Sequence, residues 1–145
     1  YFPRVEQAVQ FEIKNRYYGE QPVGTSFLVE TENSNHPWLA HTPTMRVPMR
    51  ITRTDNVYSA MRAWMIAVEL FNLEAPPFLQ IKSVLCPALG AGAGGVTPSD
   101  VGKQMLAAYC TMKLAQDNPV RPDWKWAEQR QYAIGRGRGG DLEDA

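Results

Sequence analysis

The stretch from Gln80 to Val101 constrains this chain more than any other. An apolar run of strand length, Gln80 to Pro87, leads into Ala88-Leu-Gly-Ala-Gly-Ala-Gly-Gly-Val-Thr-Pro98, and a helical pattern follows at once. Glycine lacks a Cβ, so backbone amides can converge on one point, and the N-terminus of the next helix adds partial positive charge. A strand, a glycine turn and a helix start together can form an anion site that needs no Lys or Arg, the alternative being a glycine connector that serves only close helix–strand packing. Such a turn must lie between two packed elements, which excludes a coiled coil, a collagen repeat or a disordered polymer.

Two familiar phosphate motifs fit poorly. Gly90, Gly92 and Gly95 satisfy G-x-G-x-x-G in form, but a dinucleotide fold needs a second strand after the helix, with an acidic residue on it. The sequence there is Gln-Asp-Asn-Pro119, a poor strand. A P-loop is excluded because Gly102-Lys103 is followed by Gln104 rather than Ser or Thr.

The rest of the chain supplies the frame. Val5, Val9, Ile13 and Tyr17 recur every fourth residue, which predicts a helix over Pro3–Tyr18 with Gly19 as its stop. Val23–Thr31 and Trp38–Thr42 read as strands around the turn cluster Glu32-Asn-Ser-Asn35. Val57, Met61, Trp64, Val68 and Phe71 form the stripe of a helix over Asp55–Phe71, with Asp55 at its favoured end. Gln80–Pro87 is expected to be a central parallel strand covered on both faces. The last helix of this frame runs from Pro98 to Ala115, capped by Thr97 and Asp100, with Val101, Met105, Ala108, Met112 and Ala115 facing the core. Tyr109 is expected to join them. This order of elements predicts an α/β layered fold.

Composition removes several function classes. The chain has 145 residues, with 15 basic and 15 acidic side chains, so no global field draws it to nucleic acid or an acidic membrane. No apolar stretch approaches the ~20 residues of a membrane span. Cys86 and Cys110 lack metal-site spacing and are expected to be buried hydrophobes of a reducing compartment. His36 and His41 point to opposite faces of an extended segment, so no metal site is expected. Arg46, Arg50 and Arg53 form a loose basic cluster that could meet a phosphate, with a solvated loop as the favoured reading.

The segment Cys86–Pro98 resembles the second binding loop of macro domains, with its Pro-Ala-aliphatic-Gly-x-Gly pattern. Pro22–Thr31 and Trp38–Pro48 are similar to the paired strands of that family's bacterial and tailed-phage branch, and Asn56–Leu70 to the helix that follows. The resemblance spans roughly residues 1–116. It implies a three-layer α/β/α sandwich with a mixed, mostly parallel sheet that binds ADP-ribose at the carboxyl ends of its strands. By position, Gly90, Ala91, Gly92, Ala93, Gly94, Gly95 and Val96 would wrap the diphosphate and distal ribose. Leu89 would help line the cleft, and Thr42, Pro43 and Thr44 would form the adjoining wall. No cofactor and no metal is implied.

Departures from the family pattern set the remaining expectations. The family's opening strands, adenine-contacting Asp and Asn- and Gly-rich first loop have no counterpart here, and Tyr1 stands at the helix that would follow that loop. Some hydrolytic members carry a catalytic Asn or Asp in that loop. One subgroup instead uses a Lys and an Asp where this chain has Thr42 and Gly94. No catalytic residue is therefore expected within the chain, and ADP-ribosyl hydrolysis would need a group from an upstream segment. The module is expected to occupy residues 1–118. Residues 119–145 are expected to form an appendage, a helical turn or two and then a flexible Gly/Arg tail, with Trp124 and Trp126 as anchors for a protein partner. The expected setting is the cytoplasm, or a virion for a phage-encoded assembly protein that kept the fold without the chemistry.

Overall fold

The computed structural model describes residues 3–117 and 124–135. Its elements are α1 (Pro3–Tyr17), β1 (Phe27–Glu30), β2 (Trp38–His41), α2 (Asn56–Glu74), α3 (Pro98–Asp117) and α4 (Trp124–Ile134). Helix α1 ends as its glycine predicts. Tyr18 and Gly19 both turn left-handed, and the Gly19 amide reaches back to the Ile13 carbonyl at 3.2 Å, a bond that satisfies one of the helix's terminal carbonyls.

β1 and β2 form an antiparallel pair that sets Phe27 opposite His41 and Glu30 opposite Trp38. The intervening turn is built by side chains. The Asn33 carboxamide oxygen accepts the Asn35 and His36 amides, and the Thr31 hydroxyl donates to the His36 carbonyl. The hairpin lies on α2, where the rings of Trp38 and Phe71 meet at 4.7 Å. Helix α3 packs on α2, and α4 on α3, burying Ile134.

Helices, hairpin and glycine turn appear where expected, but the expected central strand does not. Among the described residues the sheet contains only β1 and β2, so the mixed, mostly parallel arrangement is absent. Residues 80–87 run outside any ladder, and Leu85 is 89% exposed. Two causes are visible. The Asn72 carboxamide takes both the amide and the carbonyl of Ile81, at 2.8 and 2.9 Å, as a neighbouring strand would. An open groove of about 1110 Å³ also separates this run from β2, so no strand lies within hydrogen-bonding reach.

The start of α2 departs from expectation as well. Asp55 occupies the cap position, yet its side chain makes no cap hydrogen bond. Gln104, buried on α3, takes that role: its Oε1 accepts the Tyr58 amide at 3.0 Å, and its Nε2 donates to the Thr54 carbonyl at 3.0 Å. On α3 itself, Val101, Ala108 and Met112 are buried as expected, Met105 is half-buried and Ala115 exposed, and Tyr109 and Cys110 face solvent, because they fall off the 101–104–108–112 stripe. Cys86 is half-buried, not enclosed. Replacing Gln104 with Leu should remove both bonds and strand an amide and a carbonyl, lowering stability in denaturant titration by roughly 2–4 kcal/mol.

Candidate functional site

The glycine segment folds as two consecutive turns. The Ala91 amide donates to Ala88 at 3.3 Å, the Gly95 amide to Gly92 at 3.0 Å, and Val96 straps back onto the Gly90 carbonyl at 3.1 Å. The buried cluster of Ile51, Val57, Val96 and Val101 supports both turns, with Leu89 and Ala91 packed against it. Ile51 is the hub. Its amide donates to Gly94 at 3.0 Å, and its side chain fills the space beneath Gly90 and Gly94.

The glycines are therefore not equivalent. Gly90 has φ +73°, and a Cβ there would stand 3.0 Å from Ile51 Cδ1 and 3.1 Å from Val57 Cγ2. At Gly94 a Cβ would lie 2.5 Å from the Gly90 carbonyl oxygen, so this glycine exists for the chain's own packing. Gly92 differs from both: nothing lies within 4 Å of its missing side chain. Of the four glycines of this segment, it alone has open space where a Cβ would stand.

Hydrogen bonding divides the segment in the same way. The amides of Ala91, Gly95 and Val96 are used internally. Those of Gly90, Gly92, Ala93 and Gly94 donate to no carbonyl among the described residues. Just beyond, the Thr97 hydroxyl accepts the Asp100 amide at 3.2 Å and donates to the Asp100 carboxylate at 3.1 Å, so Asp100 belongs to the α3 cap as its spacing predicts. A backbone with unspent donors, beside a helix start in a chain of zero formal net charge, is suited to an anion held by N–H groups.

The expected wall lies nearby. Thr42 shares a 2.7 Å hydroxyl contact with Ser26, and Thr42 and Leu89 line the same groove. The Thr44 carbonyl accepts from Asn56 Nδ2 at 2.9 Å, next to Val57, which lies under Gly90. Pro43 is half-buried between these two threonines. Sequence reasoning missed Ile51 altogether and placed Arg50 only in a loose basic cluster, whereas it lies against Gly95. Both sit in the proline-punctuated stretch 44–51, where periodicity carries no signal.

His41 is turned to structural use. Its Nδ1 lies 2.7 Å from Gln21 Oε1, and its ring is 5.4 Å from Phe27. Gln21 Nε2 donates to the Thr25 and His41 carbonyls, so Oε1 is left to accept the Nδ1 proton of a neutral imidazole. Burial holds the His41 pKa below its usual 6.5. The unfolded chain then takes up this proton more readily than the native one, so His41 costs stability as pH falls from about 6.5 through the lower native value. Thermal melts from pH 7.5 to pH 5 should show this acid loss, and His41→Gln should reduce it.

Among the described residues, no group of three or more His, Cys, Asp or Glu could hold a metal ion, and no helix is long and apolar enough to cross a membrane. Searches of curated proteins and of solved structures return no significant match. A family model does match: the Macro domain, over residues 4–105. That span takes in α1, the hairpin, α2, the double glycine turn and the start of α3. The chain belongs to the macro domain family.

Proposed function

We propose that the chain is an ADP-ribose-binding module of the bacterial and tailed-phage branch of this family, with the α/β/α sandwich as its parent architecture. The observation that carries this reading is the row of unspent amides at Gly92, Ala93 and Gly94, with open space at Gly92. Backbone N–H groups at a helix start hold the diphosphate, Leu89 and Ala91 line the approach, and Thr42, Pro43 and Thr44 form the facing wall. Hydrolysis of an ADP-ribosyl bond would need a catalytic group from outside this loop, since Thr42 and Gly94 supply neither a base nor a nucleophile there. Release of free ADP-ribose from a modified substrate by the intact protein would establish it.

A second reading, an assembly component of a tailed phage that keeps the fold without nucleotide chemistry, draws on α4. There Trp124 is 69% exposed and Lys125 lies over its ring, while Trp126 is half-buried with Arg130 above it. An exposed Trp on a packed helix is a good interface anchor. Particle association without ADP-ribose binding would select this reading.

The two central glycines give the sharpest test. A side chain at Gly92 meets nothing in the free protein, so Gly92→Val should fold with an unchanged melting temperature and lose calorimetric ADP-ribose binding by at least about tenfold, ~1.4 kcal/mol. Gly94→Ala should instead lower the melting temperature, because its Cβ collides with the Gly90 carbonyl. Undiminished binding by Gly92→Val would remove this loop as the cradle.

A further inference from the structure

The three arginines between β2 and α2 have different surroundings. Arg46 reaches Glu20 at 3.4 Å. Arg53 is exposed, at the turn before α2. Arg50 lies on the glycine turn: a Cβ on Gly95 would sit 2.6 Å from its Nη1 and 3.5 Å from its Cζ. The guanidinium thus occupies the space that only a glycine at φ +65° leaves free. Arg50 is exposed, as Arg53 is, but its backbone is fixed, because the next residue, Ile51, is tied to Gly94 and buried in the core. Among the described residues no carboxylate pairs with Arg50.

We propose that Arg50 is a phosphate-contacting specificity residue of this site, which makes the site select a diphosphate over an uncharged nucleoside. The inference rests on the proposed ADP-ribose-binding function and adds a charged contact to a cradle otherwise made of backbone. Amide donors hold an anion but tolerate neutral acceptors as well. A guanidinium adds a permanent charge and a planar fork that matches two phosphate oxygens. Since the chain has no net charge, this cation is not diluted by a broader positive field. Its position on Gly95 places it at the end of the Gly92–Gly95 turn, the same turn that carries the unspent amides.

The test is calorimetry with ADP-ribose, inorganic pyrophosphate and adenosine on the parent protein, Arg50→Gln, Arg50→Lys and Arg53→Gln. Arg50→Gln should weaken both anions by about tenfold and flatten the salt dependence of their binding, leaving adenosine unaffected. Arg50→Lys, which keeps charge but loses the fork, should fall between, and Arg53→Gln should match the parent. Equal anion affinity and salt slope in Arg50→Gln and the parent would overturn the inference. So would an equal loss for adenosine, which would mark a merely structural role. Arg50-dependent pyrophosphate binding without ADP-ribose binding would sink the proposed function and leave this inference standing. Failure of the parent to bind either anion would sink both.

Discussion

The contact between Ile51 and the glycine turn is the constraint on which the rest depends. Ile51 lies in an irregular loop, yet it is 1% exposed, and its amide and side chain both engage the turn. Burying a side chain of this size contributes about 1.5–3 kcal/mol, which a flexible loop could not retain without a fixed partner. The turn supplies that partner because Gly90 and Gly94 present bare backbone. Two of its glycines therefore serve the core, and the rigidity they confer fixes the exposed residues Gly92 and Ala93 that lie between them.

That division bears on how an anion site survives in a protein without net charge. Donors held by packing need not be reorganised when a ligand arrives, so binding energy is not spent on ordering the loop. Three of the segment's amides close its own turns, and those around Gly92 stay unspent. Gln104 serves the same end from the opposite side: it holds the Thr54–Tyr58 turn, which fixes Val57 beneath Gly90. The local site, rather than the chain's overall charge, sets what can bind.

Helices α1, α2 and α3 were legible because their stripes repeat every three or four residues and their ends carry Gly19, Pro76-Pro77 and Thr97-Pro98. The hairpin was legible from alternation and its Asn-rich turn. The 80–87 run was misread because an apolar composition reports a surface suited to burial and says nothing about which strand stands beside it. Helix α4 exceeds the turn or two expected, since its packing on α3 through Ile134 supplies what local propensity does not. Within the candidate site the glycine positions were readable, but their separate duties were not. Only three-dimensional neighbours distinguish Gly94, pressed against a carbonyl, from Gly92, which faces nothing.

The most direct test follows the backbone amides themselves. In nitrogen-15 NMR spectra recorded during titration with ADP-ribose, the signals of Gly92, Ala93 and Gly94 should move furthest and move together, with downfield proton shifts as they become donors to phosphate oxygen. The Ala91, Gly95 and Val96 amides, already bonded within the turn, should move less. Saturable shifts confined to other parts of the chain, with these three amides still, would contradict the account.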